Sequence, residues 1–371
     1  MRARDLGVVI GTGTPGPNNA ITDVDGVLVG HTTLIEGEGA LQVGRGPVRT
    51  GVTMVVPNQG RIGEEPLFAG CHRLNGNGEL TGLEWIRESG MLTTPIGLTN
   101  THSVGVVRDA IISAEVRNRE AGGVYWSLPV VGETWDGALN DISGMHVRTE
   151  HALAALDSAS SGAVQEGAVG SGTGMICHDF KGGIGTASRV VPEADGGYTV
   201  GVLVQTNYGV RERLQVNGVP VGREITAEEV PVLPDDPLPG AGSIIVIVGT
   251  DAPLIPTQCD RLAQRAGLGI GRMGGLGSHS SGDIFLCFAT GNQGMVSSYK
   301  MNDPRLSVPL TMLSNNYITP LFEAVVEATE EAILNALVAA ETMTGINGNT
   351  VYALPHDRLV EVMEKYRPSD S

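Results

Sequence analysis

The sequence predicts a layered α/β protein whose core is built from aliphatic side chains. Short β-rich runs alternate with segments of helical spacing along 371 residues, a length that can bury a large core. Aromatic residues make up 4% of the chain, whereas 53 residues are glycine. Packing must therefore rely on aliphatic side chains and close backbone approach, which favours sheets covered by helices.

The first two thirds of the chain contain two clear strands and two clear helices. Strands are predicted at residues 48–58 and 197–209, and helices at residues 103–120 and 150–159. Between Thr226 and Gly242 the sequence has neither helical nor strand periodicity, and four acidic residues are mixed with four prolines. Such a composition leaves backbone donors unpaired, so we expect an exposed linker in this segment.

Regular structure resumes at Ser243 with the run SIIVIV, which predicts a strand covered on both faces because it lacks polar alternation. Residues 243–371 cannot supply both covering layers alone, so we expect them to share a core with the first 242 residues. The remaining elements follow in order after this strand. They are a helix at 256–268, a glycine loop to about Gly282, a strand at 283–290, a helix from about 320 to 343 and a helix at 357–366.

Charge and cysteine spacing exclude several classes of protein. The net charge of −17 repels phosphate backbones and anionic membranes, so we expect no nucleic-acid or membrane partner. The four cysteines are widely separated and form no CxxC pair, which argues against a disulfide framework or a zinc site. The apolar run at the N-terminus is interrupted too early for a signal peptide, and no run reaches the roughly 20 residues of a membrane span. We expect a cytoplasmic protein that uses no metal or other cofactor.

The glycine-rich motifs carry little functional information. GIGRMG, residues 269–274, has the letters of a dinucleotide-binding motif but follows a predicted helix instead of a strand. Residues 170–185 contain several glycines without a following GK[ST], so a turn between strands is the better interpretation. A GxSxG nucleophile elbow and an HExxH zinc motif are both absent from the sequence.

The Gly242–Ser243 bond is a plausible site of self-cleavage. Glycine has no Cβ to shield its carbonyl, so the Ser243 hydroxyl could attack Gly242 and form an ester that water hydrolyses. The new α-amine of Ser243 would have a pKa of roughly 7.7 to 8 and could act as the base for its own hydroxyl. The alternative is an ordinary junction between a loop and a strand.

Five segments, in order along nearly the whole chain, resemble the L-aminopeptidase/D-esterase family, which includes the β-aminopeptidases. The segments are GPNNAITDVDGVLVGHTT, PVVGETWDGALNDISG, VLVQTNYG, GSIIVIVGTDAPL and SSGDIFLCFATGN. The resemblance implies a single catalytic domain, residues 1–371, with the four-layer α/β/β/α sandwich of the self-cleaving aminopeptidase and ornithine acetyltransferase type. It also implies cleavage at Gly242–Ser243 into an α chain, 1–242, and a β chain, 243–371, with the αβ heterodimers assembled into a tetramer.

The resemblance assigns catalytic roles to four residues. Ser243 matches the N-terminal nucleophile, and Ser281 and Asp283 match a Ser-Gly-acid element that orients its amine. Some family members have glutamate where this chain has Asp283, which is one methylene shorter. Asn207 matches the asparagine whose side-chain amide stabilises the oxyanion.

The resemblance also indicates how substrate is recognised. Glu133 matches an acidic anchor for the free amino group of the substrate, a role suited to a carboxylate held in a pocket. Some relatives have a tyrosine in the site. The equivalent position in this chain is occupied by Trp135, by Tyr125 or by neither of them.

The predicted activity is removal of N-terminal residues from short peptides, amino-acid amides and esters. Preference among L-, D- and β-amino acids stays open, because it depends on single side chains in the pocket. One alternative is an acyltransferase with the same self-cleaving layout, although those enzymes usually have threonine at the position of Ser243. The other is a non-catalytic binding protein of the same fold that stays uncleaved.

Overall fold

The computed structural model describes residues 1–59, 62–117, 125–233, 242–295 and 304–367. The strands in these ranges are β1 (Leu28–Glu36), β2 (Val48–Val56), β3 (Leu67–Arg73), β4 (Met91–Leu92), β5 (Ile96–Asn100), β6 (Val130–Thr134), β7 (Ile176–Cys177), β8 (Phe180–Lys181), β9 (Gly183–Val190), β10 (Thr199–Asn207), β11 (Ser243–Thr250), β12 (Gly282–Ala289), β13 (Met343–Thr344) and β14 (Thr350–Val351). The α-helices are α1 (Leu83–Ser89), α2 (Val104–Arg117), α3 (Thr149–Asp157), α4 (Val221–Glu224), α5 (Pro256–Arg272), α6 (Thr319–Ala339) and α7 (His356–Lys365).

Two large sheets form the centre of the fold. The six-stranded sheet has the order β4-β3-β12-β11-β10-β9, and the four-stranded sheet has the order β1-β2-β5-β6. Within these sheets β11 and β12 run parallel, as do β5 and β6, whereas the other neighbours are antiparallel. The two strands that follow residue 242, β11 and β12, therefore lie side by side in the larger sheet, between strands that precede it.

Helices cover the outer face of each sheet, which gives four layers. Helices α5 and α6 pack on the six-stranded sheet, and α2 and α3 pack on the four-stranded sheet. Aliphatic side chains of the two sheets pack against each other in the space between them, including Leu98 from β5, Leu203 from β10 and Ile245 from β11. The α/β/β/α sandwich expected from the resemblance is confirmed.

Strand β11 is buried along its whole length because both of its faces contact other layers. Ile244, Val246 and Val248 face the layer of α5 and α6, whereas Ile245 and Ile247 point toward the four-stranded sheet. The unbroken apolar run of the sequence is thus explained, and residues after 242 do share a core with those before it.

The sequence-predicted elements agree with the structure except near some ends. The helix predicted to reach Met343 ends at Ala339, so that part of the prediction was wrong. Ala340 is extended and the chain enters the β13–β14 hairpin, whose two-residue strands are too short to show an alternating pattern. Helix α5 extends to Arg272, so the GIGRMG segment begins inside a helix.

Two predictions fall partly beyond the described ranges. Residues 118–120 of the second predicted helix and residues 234–241 of the predicted linker lie outside the part of the chain that the structure describes. Residues 226–229 of the linker are exposed, whereas Val230 is buried. Across the described ranges, no helix combines the length and the apolar character needed to cross a bilayer.

Helices α5 and α6 approach closely at Gly269. A Cβ atom at this position would lie 2.7 Å from Thr329 Cβ and 2.8 Å from the Val326 carbonyl oxygen, both on α6. Two residues earlier in α5, a Cβ at Gly267 would lie 3.5 Å from the Phe285 ring, which is an ordinary contact. The two glycines therefore provide a matched pair of sites within one helix.

We expect Gly269→Ala and Gly267→Ala to change stability in opposite directions. Gly269→Ala forces the two helices apart and should lower the free energy of unfolding by about 1–3 kcal/mol. Gly267→Ala removes backbone entropy from the unfolded chain without a clash and should raise it by about 0.5–1 kcal/mol. Urea unfolding of both variants measures the difference, and equal stabilities would contradict the close packing at Gly269.

Candidate active site

Three strand ends meet at one end of the six-stranded sheet. Ser243, the first residue of β11, pairs with Asn207 at the end of β10. On its other side Ser243 pairs with Gly282, the first residue of β12. Two segments that carry predicted site residues, far apart in sequence, therefore lie on either side of the predicted nucleophile.

The Ser243 hydroxyl is buried and held by the neighbouring strand. The Gly282 N–H donates a hydrogen bond to Ser243 Oγ at 3.0 Å. The residue before it has little space, because a Cβ at Gly242 would lie 2.4 Å from the Asn207 carbonyl oxygen and 2.9 Å from Tyr208 Cα. Glycine is thus the residue that fits next to Ser243 without moving β10.

Ser281 and Asp283 form a hydrogen-bonded pair beside β11. Ser281 Oγ donates to Asp283 Oδ1 at 2.5 Å, and the Ile244 N–H donates to the same oxygen at 3.2 Å. Burial raises the pKa of Asp283, although these donors favour its ionised form. Although aspartate is shorter than glutamate, the Asp283 carboxylate still contacts the backbone of Ile244, the residue that follows Ser243.

The segment after β3 holds this pair in position. Asn75 Oδ1 accepts a hydrogen bond from the Asp283 N–H at 2.7 Å, and Asn75 Nδ2 donates to the Ser278 carbonyl at 2.8 Å. Leu74 N–H also donates to the Asp283 carbonyl at 3.0 Å. Residues from before the predicted cleavage site therefore fix the acid that lies after it.

The side-chain amide of Asn207 has a defined orientation. Its Oδ1 accepts from the Ile176 N–H at 2.8 Å, and its Nδ2 donates to the Trp135 carbonyl at 2.9 Å. An amide NH₂ carries two donors, so one N–H of Asn207 remains available.

A buried lysine supports the loop that orients Asn207. The Lys181 ammonium donates to the carbonyls of Met175 at 2.7 Å and Gly182 at 2.8 Å, on either side of the β7–β8 hairpin that contains Ile176. Burial lowers the pKa of Lys181 to about 7. Its satisfied donors fix the hairpin against β10.

One cavity brings most of the predicted site residues together. It has a volume of about 70 Å³, and its lining includes Trp135, Asn207, Gly242, Ser281 and Asp283. Ser243 is not among the described lining residues, although its neighbours in the chain and across the sheet are. An oriented amide, a carboxylate and a buried hydroxyl beside one cavity are suited to acyl transfer.

The sequence of the protein matches Peptidase family S58 over residues 19–351. The chain belongs to Peptidase family S58. The β-peptidyl aminopeptidase BapA of Sphingosinicella microcystinivorans is 52% identical over 99% of this chain and 92% of that protein. Solved structures agree in fold as well as in sequence. A β-aminopeptidase of a Burkholderia species has a TM-score of 0.90 and 53% identity, covering 99% of this chain and all of that one.

A second solved structure supplies the fold name. The L-aminopeptidase D-Ala-esterase/amidase of Ochrobactrum anthropi, described as a variant of the Ntn hydrolase fold, has a TM-score of 0.88 and 44% identity over 98% of both chains. The predicted enzyme class is therefore confirmed: the S58 chain is an aminopeptidase of the N-terminal-nucleophile type.

Glu133 of the S58 chain lies apart from the described cavity lining. Its Oε1 accepts from the Glu79 N–H at 2.8 Å, and Thr101 Oγ1 donates to its Oε2. Burial raises the pKa of Glu133. A Cβ at Gly78 would lie 3.2 Å from Glu133 Oε1 and 2.9 Å from Gly282 Cα, so a glycine separates the predicted amine anchor from β12.

Sequence reasoning missed several residues that line the cavity of the S58 peptidase. They include Ile176, Asp179, Tyr208 and Arg213. Ile176 and Asp179 belong to the glycine-rich segment that was interpreted as a turn, and Tyr208 follows Asn207 directly, so adjacency was the available signal. Tyr125 is described but does not belong to this lining, whereas Trp135 does.

We expect His178→Gln to make the S58 protein less sensitive to acid. Burial lowers the pKa of His178 to about 4, so between pH 6.5 and pH 4 the unfolded chain binds a proton that the folded chain does not. The free energy of unfolding therefore falls as the pH is lowered through this window. The contribution of His178 is about 2 kcal/mol by pH 5.

Urea unfolding of the wild type and the variant at pH 7 and pH 5 measures this contribution. Glutamine cannot bind the proton, so the variant should lose about 2 kcal/mol less than the wild type between the two pH values. Equal losses would contradict a neutral, buried His178.

Proposed function

We propose that Ser243 is the N-terminal nucleophile of this aminopeptidase, exposed when the chain cuts itself into residues 1–242 and 243–371. The observation that carries the proposal is the position of Ser243 between Asn207 and Gly282, with the Asp283 carboxylate bonded to the next amide of β11. Before the cut the nitrogen of Ser243 is an amide, and the cut converts it into an amine.

The cleavage step uses the Ser243 hydroxyl alone. Oγ attacks the Gly242 carbonyl carbon, the C–N bond breaks, and the nitrogen of Ser243 takes the hydroxyl proton and becomes a free amine. Water then hydrolyses the ester, which leaves a carboxylate on Gly242 and restores the hydroxyl. The close approach of Gly242 to Asn207 supports this step, because it packs the residue that carries the scissile carbonyl against β10.

In the mature enzyme the α-amine of Ser243 acts as the general base. Its unperturbed pKa of roughly 7.7 to 8 leaves a large neutral fraction near neutral pH. The amine accepts the hydroxyl proton as Oγ attacks the substrate carbonyl, and then returns a proton to the leaving group. Asp283 orients the amine, since its carboxylate bonds the adjacent Ile244 N–H, and Ser281 holds that carboxylate.

Asn207 stabilises the oxyanion with the N–H that is not bonded to Trp135. Both its Oδ1 and its other N–H are occupied by backbone groups, so the amide cannot turn without losing two hydrogen bonds. A donor fixed in this way costs little reorganisation when negative charge develops on the substrate.

The substrates are short peptides, amides or esters that carry a free amino group. Glu133 is the proposed anchor of that amino group; it lies outside the described cavity lining, with Gly78 between it and β12, whereas Trp135 forms part of the cavity wall. Relatives named as β-peptidyl aminopeptidase or β-aminopeptidase are 52%, 45% and 53% identical to this chain, against 44% for the L-aminopeptidase D-Ala-esterase/amidase. This order supports β-aminoacyl groups as substrates, and kcat/KM for β-alanyl, L-alanyl and D-alanyl amides tests it.

We further propose that the two fragments stay together as an αβ heterodimer and that these heterodimers form tetramers in the cytoplasm. The hydrogen bonds of β11 to β10 and of β12 to β3 support the heterodimer, since both join residues from opposite sides of the cut.

We expect Ser243→Ala to abolish both self-cleavage and hydrolysis. Denaturing electrophoresis should show two fragments for the wild type, the smaller beginning Ser-Ile-Ile-Val, and one full-length band for the variant. Ser307→Ala, at an exposed serine in the second fragment, is the control and should be cleaved and active. A wild type that is fully active while intact would disprove the mechanism.

We expect Asn207→Ala to lower kcat by about 10²- to 10³-fold, because the oxyanion loses one positioned donor. Rates are normalised to the amount of free Ser243 N-terminus, so incomplete cleavage does not imitate a catalytic defect. A kcat within a few-fold of the wild type would assign Asn207 a structural role instead.

A further inference from the structure

The cavity that contains the proposed catalytic groups has a cationic residue with no assigned role. Arg213 lines it together with Ser281 and Asp283, and belongs to a short 3-10 turn, Arg211–Arg213, that follows β10. The lining also contains the acidic residue Asp179. Since the chain has 24 basic against 41 acidic residues, an anionic group on a substrate is repelled by most of the surface.

The two arginines of this turn have different surroundings. Arg211 is buried, and its guanidinium donates to the carbonyls of Val230 at 3.0 Å and Asp179 at 2.8 Å while lying 3.4 Å over the Phe180 ring. Arg213 is exposed, and within the described ranges its guanidinium has neither a hydrogen bond nor an ion pair. Arg211 therefore stabilises the turn, and the guanidinium of Arg213 stays available to a ligand.

The backbone of Arg213 is held firmly although its side chain is free. A Cβ at Gly274 would lie 1.8 Å from the Arg213 carbonyl oxygen, so the segment that follows α5 packs directly on the turn. The Arg213 N–H donates to the Val210 carbonyl at 3.1 Å, and Gln215 N–H donates to the Met273 carbonyl at 3.2 Å. The backbone of Arg213 is thus fixed beside the cavity, while within the described ranges its guanidinium has no partner.

We propose that Arg213 binds the C-terminal carboxylate of a dipeptide substrate, on the leaving-group side of the scissile bond. The inference rests on the proposed function, which puts the acyl group at Ser243 and the leaving amine in the same cavity. In a dipeptide the departing residue carries a carboxylate next to its nitrogen. A guanidinium pairs with that group through two parallel charge-assisted hydrogen bonds and stays charged at every working pH.

This assignment defines a specificity. Dipeptides should be hydrolysed more efficiently than amides of the same acyl group, since an amide leaving group has no carboxylate to bind. Longer peptides lose the advantage, because their carboxylate lies at least one residue further from the scissile bond. The same type of C–N bond is broken in all three cases, so the proposal assigns the preference to Arg213.

The test compares two substrates that differ in one charge. They are an aminoacyl-glycine and the matching aminoacyl-glycinamide, with the acyl group that the wild type hydrolyses best. The variants are Arg213→Gln, Arg213→Lys and, as the matched control, Arg223→Gln at an exposed arginine outside the described cavity lining. The fraction of free Ser243 N-terminus is measured for each protein.

For Arg213→Gln we expect kcat/KM to fall about 10-fold or more on the aminoacyl-glycine and less than 2-fold on the glycinamide, mainly through KM. Arg213→Lys should recover part of the loss, and Arg223→Gln should leave both values unchanged. Equal effects on the two substrates, or none on either, would overturn the role of Arg213 alone. A cleaved wild type that hydrolyses neither substrate would overturn the proposed function and this inference with it.

Discussion

The register of β11 between β10 and β12 is the constraint on which the site depends. Because side chains alternate along a strand, a shift of one residue would exchange the faces of Ile244 and Ile245 and bury each against the wrong layer. The two apolar faces of β11 therefore specify one alignment. That alignment sets Ser243 beside Asn207 and Gly282. Packing in the core thus determines the geometry at the end of the sheet.

Local sequence information predicted much of the fold. The run from Ser243 indicated a strand covered on both faces, and the structure confirms it in the centre of the larger sheet. Helical spacing located α2, α3, α5 and α7 closely, because each buries a regular apolar stripe. The end of α6 was misjudged, since the two strands of the β13–β14 hairpin have two residues each and are too short to show an alternating pattern.

In the candidate site, the chemistry of the Gly-Ser pair pointed to Ser243, whereas Asp283 was assigned only by the resemblance to a known family. The groups that support the site were not predicted from the sequence. Asn75 and Lys181 act through hydrogen bonds to backbone groups, and nothing in their own neighbourhoods marks those partners. Arg213 was not predicted for a different reason. The sequence does not distinguish it from other surface arginines, and only the cavity that it lines does so.

Strands β11 and β12 lie between β10 on one side and β3 on the other, so both neighbours belong to the first 242 residues. A separately made piece starting at Ser243 would present two open strand edges, together with a strand that is apolar on both faces. Such edges readily pair with other chains and aggregate. Synthesis as one chain fills both edges before the proposed cut, so the piece that begins at Ser243 would never present them alone.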